Sequence, residues 1–213
     1  MARTLQAKCL TTQEVEACLF VLNADEFSTR TRRNLLWFLL MTDAGLRVGE
    51  LVQLKFSDFL VADKFATALR IRGEIAKCQI ERVVPLTPRL QAAIRGYYES
   101  EIQRRGRIED PNDPTTYFRN QFAFSNTAPR SAAMTTRQVE RWLEKLSFIA
   151  LGRKVHPHQL RHTFGTNLAA VAQPHVVQEL LGHRNLSSTQ VYTHANGQDC
   201  RNAIDSMGKD VKI

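Results

Sequence analysis

Five side chains between His156 and His194 have types that can do chemistry. His158, Arg161, His162, His183 and Tyr192 stand where a surface helix ordinarily carries Lys, Glu or Ser. An imidazole can move a proton or ligate a metal, a guanidinium can grip an anion with a fork of donors, and a phenol can act as a nucleophile once its proton is taken. Pro157 suits the first turn of a helix, on which His158 and Arg161, at i and i+3, share a face while Leu160, Phe164 and Leu168 face the core. Gly182 is a natural C-cap for a helix over 174–182, and His183 follows it directly. Tyr192 stands nine positions after His183, behind a hydroxyl-rich run that suits a helix start. Each residue also has a plain structural use. A histidine can cap carbonyls, and a tyrosine can lie half buried with a wet hydroxyl.

His158 and His162, at i and i+4, have the spacing of a zinc-protease helix. The glutamate base that follows the first histidine there is Gln159 here, and the bulky cation Arg161 lies between the pair. No metal and no other cofactor is expected.

The remaining elements bring a second set of basic groups to this stretch. Thr11 and Glu14 make a capping box for a first helix with Val15, Cys18, Leu19 and Leu22 on its apolar face. A second helix starts near Ser28, opens with Arg30, Arg32 and Arg33, and turns apolar through Leu35–Leu40, as a helix buried on most sides does. Gly45 ends it. Arg47 then begins a third helix with Glu50 three residues on, where a carboxylate can hold the guanidinium by charge-assisted hydrogen bonds. This pair is either purely structural or an arginine held rigidly toward a phosphate.

From Phe56 to Leu86 the period becomes strand-like, predicting a small antiparallel sheet or hairpin with its turn over Gly73–Gln79 and Lys77 in that turn. Arg70, Arg72 and Arg82 cluster on this element, and a phosphate-facing ribbon accounts for them. A helix follows from Pro88 to Arg105, with Leu90, Ala93, Ile94, Tyr97 and Ile102 on one side. Then come a loop over 106–120, a short strand at Phe122–Ser125, and a helix capped by Thr135 and Gln138 with Val139, Trp142, Leu143, Leu146 and Ile149 as its stripe. The fold class is α+β, mainly helical with a small antiparallel sheet.

Composition agrees with one globular domain of 213 residues, 43% hydrophobic and 23% charged, with no repeat or linker. No apolar run is long enough to span a membrane and no signal core opens the chain, so no membrane partner and a cytoplasmic location are expected. The four cysteines form no CxxC pair, which suits free thiols. A net charge of +8 suits a polyanion such as nucleic acid, although a merely soluble basic protein has the same charge.

Together, Gly45-Leu46-Arg47-Val48-Gly49-Glu50-Leu51, His158-Gln159-Leu160-Arg161-His162 and Leu180-Leu181-Gly182-His183, with Tyr192 nine residues on, resemble the motifs of the tyrosine recombinases of lambda-integrase or Xer type. Glu81–Leu86 resembles the strand that follows the family's lysine. Lys77 stands in that lysine's place, flanked by Ala76 and Cys78 where relatives carry glycines. The resemblance implies the family's catalytic-domain fold and a catalytic set of Arg47, Lys77, His158, Arg161, His183 and Tyr192. It leaves Arg70, Arg72 and Arg82 as DNA contacts, and Glu50 and His162 as supporting residues, His162 in the core or behind the site.

The implied reaction is strand cleavage and rejoining on double-stranded DNA at a specific site, through a 3′-phosphotyrosyl intermediate and without metal or ATP. The implied assembly is a tetrameric synapse on DNA formed from a protein that is monomeric off it, encoded by a prokaryote, phage or mobile element. Family members commonly carry a helical DNA-clamping domain before this one. With 46 residues ahead of Arg47, the sequence resembles minimal single-domain members: one catalytic domain over 1–213, with N-terminal helices in 1–45 and a tail over 197–213 that could dock on a neighbouring protomer. A type IB topoisomerase and a DNA-binding regulator without catalysis are the alternatives. Tyr97, Tyr98 and Tyr117 are rival nucleophiles that lack the His183 spacing.

Overall fold

A computed structural model describes residues 9–24, 28–62, 64–76, 79–105, 120–125, 132–182 and 197–209. Helix α2 (Thr29–Thr42), capped by Ser28, lies at its centre. All seven residues from Leu36 to Thr42 are buried, because α2 is covered from several sides. Helix α4 (Pro88–Arg105) and helix α6 (Pro157–Ala169) pack along it, and it also touches α1 (Thr12–Leu22) and α3 (Val48–Val52). Helix α5 (Thr136–Leu151) lies on α1, where Arg153 just beyond its end grips Glu14 of the α1 capping box at 2.6 Å. Helix α7 (Pro174–Leu181) follows α6, and α8 (Gly197–Lys209) closes over α6, α7 and the sheet.

The strand-like region forms two small antiparallel ribbons. The first pairs β1 (Leu60–Val61) with β2 (Lys64–Phe65), and the second pairs β3 (Ala68–Ile71) with β4 (Arg82–Pro85), in the register Leu69 opposite Val84 and Ile71 opposite Arg82. Alternation along β3 buries Leu69 and Ile71 and leaves Arg70 outside. Alternation along β4 buries Arg82 and Val84 and leaves Val83 outside. The stretch expected as a strand near Phe122 makes only a single bridge, to Lys55.

An aromatic cluster joins the layers. Trp37 of α2 meets Trp142 of α5 edge-on at 5.3 Å and Phe124 at 5.8 Å, and Tyr97 of α4 lies 5.7 Å from Phe124. Tyr97 is fully buried and donates to the Ala123 carbonyl at 2.8 Å. Such edge-to-face pairs fix the angles between helices as well as burying area. Two residues expected on core stripes, Ile102 and Ile149, are exposed instead. Helix α8 buries Cys200, Ala203, Ile204 and Met207 against the rest of the domain. Among the described residues, no helix is long and apolar enough to cross a membrane.

Asp43 at the end of α2 is wholly buried and accepts two hydrogen bonds from Arg89 of α4, at 2.5 and 2.6 Å, with a third from Thr87 at 3.0 Å. This joint fixes the end of α2 from which Gly45 and Arg47 lead off. Removing one partner of such a pair strands the other's charge. Asp43→Ala is expected to lower the unfolding free energy by about 3 kcal/mol, read as a drop in the urea midpoint. A midpoint within experimental error of the parent would show that the joint contributes nothing.

Candidate active site

The site forms where α3, β4, α6 and the end of α7 meet. Arg47 is the N-cap residue of α3, and Glu50 reaches back to it. Glu50 accepts the Arg47 backbone N–H through Oε2 at 2.9 Å and Arg47 Nη1 through Oε1 at 3.0 Å. The expected Arg–Glu pair is therefore present, and Glu50 is 1% exposed.

Arg82 completes the arrangement from below. Its Nη1 and Nη2 bind the two oxygens of Glu50 at 3.0 and 2.6 Å, and its Nε donates to the Leu180 carbonyl at 3.1 Å. Burial alone would raise the pKa of Glu50, but the hydrogen bonds and charge of Arg82, helped by Arg47, hold it below the ordinary carboxylate value. Glu50 is thus ionised at neutral pH.

Arg161 approaches from α6 and is 7% exposed. Its Nη1 donates to the Gly45 carbonyl and its Nη2 to the Leu181 carbonyl. Burial, and then the charges of Arg47 and Arg82, push its pKa down to about 10, so it remains a cation at neutral pH under electrostatic pressure. Three guanidinium groups therefore gather around one carboxylate. Such an excess of fixed positive charge, formed by forks that suit a phosphate, is an arrangement that an anion would relieve.

Two glycines permit the approach. Gly45 has φ +61°, and a Cβ there would lie 2.3 Å from the Phe164 ring. Gly182 also has φ +61°, ends α7 as a left-handed cap, and would place a Cβ 3.2 Å from Arg82 Cδ. The last carbonyls of α7 carry the negative end of the helix dipole, and the two arginines that bind them there are favourably placed. This fixes the point from which the chain continues to residue 183.

The remaining expected residues divide into three groups. His158 is exposed on the turn of α6 before Arg161. His162, expected in the core or behind the site, is instead exposed, because on α6 the buried positions are Pro157, Leu160, Arg161, Thr163, Phe164 and Leu168. Lys77, His183 and Tyr192 lie outside the described residues, as does the rival Tyr117. The buried, hydrogen-bonded Tyr97 is no nucleophile, and Tyr98 is partly buried with its pKa raised by that burial.

The DNA-contact expectation changes at the ribbon. Arg82 is buried, 3% exposed, and faces Glu50 rather than solvent. Arg72 binds Asp58 at 3.1 Å, the Gln53 carbonyl and Glu74, so it braces the start of the turn that leads to Lys77. Arg70 is exposed and pairs with Glu81 at 2.7 Å. The inward role of Arg82 has one signal in the sequence: it shares its strand face with Val84.

Fold and site define a helical domain in which three arginines gather around one buried carboxylate. A model of the phage integrase family matches residues 8–199, and the chain belongs to that family. Among curated relatives, the tyrosine recombinase XerC of Listeria innocua is 36% identical over 184 residues, 85% of this chain and 56% of the relative. XerC of Thermodesulfovibrio yellowstonii is 32% identical over 191 residues, 89% of this chain and 58% of the relative. The chain thus spans a little over half the length of the curated relatives it matches. Among solved structures, XerA recombinase superposes with a TM-score of 0.64 at 25% identity, covering 94% of this chain and 63% of that one. XerH bound to a palindromic difH substrate in a post-cleavage complex gives 0.65 at 25% identity, covering 92% of this chain and 52% of that one.

Gly45→Ala combines a strained φ with a collision against Phe164 and moves the carbonyl that holds Arg161. The variant is expected to lose about 2–3 kcal/mol of stability, measured by thermal unfolding. An unchanged Tm would mean that the Gly45 backbone is not fixed as described.

Proposed function

We propose that this chain is the catalytic part of a site-specific DNA recombinase that cleaves and rejoins strands through a 3′-phosphotyrosyl intermediate on Tyr192. The observation that carries the reading is the pair Arg47 and Arg161, each fixed by partners on one side and gathered with Arg82 around the single carboxylate Glu50. The family match and the XerH structure with its difH substrate support the same reading.

The chemistry follows from the charges. Attack on a phosphodiester builds negative charge on the non-bridging oxygens, and two permanent cations with forked donors stabilise it. The phenol of Tyr192 attacks phosphorus while the bond to the 5′-oxygen breaks, leaving a free 5′-hydroxyl. A tyrosine with an ordinary pKa near 10 needs its proton removed or relayed, and His158, on the turn before Arg161, has that role. Lys77 protonates the leaving 5′-oxygen, and His183, next to the cap at Gly182, hydrogen-bonds a non-bridging oxygen. A second 5′-hydroxyl reverses the step on the partner strand, and the phosphoryl bond energy is conserved without metal or ATP.

In this reading the protein acts in the cytoplasm as a monomer off DNA, with α8 seated on its own chain, and assembles as a tetramer on paired sites. Arg70 keeps its place as a DNA contact, since its exposed pair with Glu81 is a weak one.

The direct test is a nicked suicide substrate carrying the target site. The parent chain is expected to form a covalent protein–DNA adduct and Tyr192→Phe none, while DNA affinity stays within about threefold. An undiminished adduct with Tyr192→Phe defeats the assignment. Relaxation of plasmids lacking the site would instead favour a topoisomerase. Binding should also weaken by about tenfold or more between roughly 50 and 200 mM salt, as counterion release requires; a flat salt response would contradict a phosphate-directed surface.

A further inference from the structure

Arg82 lies outside the catalytic set that the family resemblance implies, yet three parts of the site meet on it. Strand β4 turns it inward beside Val84. One side of its guanidinium grips both oxygens of Glu50, whose carboxylate in turn holds the backbone and side chain of Arg47. Its Nε holds the Leu180 carbonyl, and a Cβ added at Gly182 would lie 3.2 Å from its Cδ and 3.5 Å from its Nη1. One side chain thus joins the start of α3, which carries Arg47, to the end of α7, which leads to His183.

A simple packing joint has no need of this chemistry. Burying two charges is costly, and well-packed apolar residues of similar volume often hold an interface equally well. What a bidentate guanidinium–carboxylate pair adds is one fixed orientation, since two parallel hydrogen bonds allow little rotation. Orientation matters here because Arg47 receives its own from Glu50.

We propose that Arg82 is a positioning residue for strand cleavage: it locks the carboxylate that aims Arg47 and holds the last turn of α7 in place. The inference rests on the phosphotyrosyl reading above. The Arg82 side chain is buried with its donors taken by Glu50 and Leu180, so its loss should slow chemistry and leave binding nearly intact. A misplacement of about 1 Å at a reacting group can cost about a hundredfold in rate.

The test is the single-turnover rate of covalent adduct formation on the suicide substrate, with DNA affinity and Tm measured in parallel. Arg82→Met is expected to lower the adduct rate about a hundredfold and to change Kd by no more than about threefold. It should also acquire a pH dependence beyond the one His158 gives the parent. Glu50 faces Arg47, Arg82 and Arg161; without Arg82, burial raises its carboxyl pKa, and the protonated acid releases Arg47. The ratio of the Arg82→Met rate to the parent rate should therefore rise with pH across about 5 to 8. In the double variant Arg82→Met/Glu50→Gln that ratio should be flat with pH. Should Arg82→Met fail to fold, Arg82→Lys keeps the charge without the fork, and an adduct rate lowered about tenfold at unchanged Kd is expected. The proposal is overturned if the folded Arg82 variant forms adduct at the parent rate, or if rate and affinity fall together with no new pH dependence. A parent chain that forms no adduct defeats the phosphotyrosyl reading itself, which is a different outcome.

Discussion

The site depends on one buried carboxylate. Glu50, 1% exposed, stays ionised because Arg82 and Arg47 surround it. An uncompensated carboxylate at that depth would take up a proton, and Arg47 would then lose both its side-chain and its backbone tether. The same three groups leave the site with surplus positive charge. Arg161 makes the surplus larger, since its described hydrogen bonds go to neutral carbonyls at Gly45 and Leu181. The cluster therefore carries more positive charge than its own carboxylate neutralises, which suits the anion of the proposed function.

The scaffold serves this arrangement by fixing ends of elements rather than their middles. Helix α2 is held by α4 through Asp43 and Arg89, so the backbone at Gly45 has a defined position. Helix α7 ends in a left-handed glycine with its last carbonyls bound by Arg82 and Arg161. Each arginine of the cluster bonds to a helix start, a helix end or the loop between. A small movement of α2, α3, α6 or α7 would thus register at the site, and the aromatic contacts of Trp37, Trp142 and Phe124 limit such movement.

Much of the fold was legible because its signals are local. Capping pairs at Thr11–Glu14 and Thr135–Gln138, the proline at 157 and the glycine at 182 mark helix ends without reference to the rest of the chain. Arg47 with Glu50 was legible for the same reason. Arg82 was not, because its partners Glu50 and Leu180 lie 32 and 98 positions away, and counting basic residues on one ribbon ignored which face each occupies. His162, expected in the core or behind the site, follows the buried Arg161 directly but lies one position round the helix, on the same face as His158. On α6 that face is the exposed one, and the turn of the helix buries Arg161 instead. Ile149 likewise fits an apolar spacing, but the face of α5 that packs on the core runs through Leu143, Leu146, Ser147 and Ala150 and leaves Ile149 outside.

The central claim is that Arg47 and Arg161, held from behind by Glu50 and by carbonyls, converge on one DNA phosphate. A structure of the protein trapped on its cleaved target DNA tests it most directly. The account predicts a phosphate esterified to Tyr192, with its non-bridging oxygens within hydrogen-bond distance of both guanidinium groups and the Glu50–Arg82 pair intact behind them. A trapped phosphate that touches neither Arg47 nor Arg161 would contradict it.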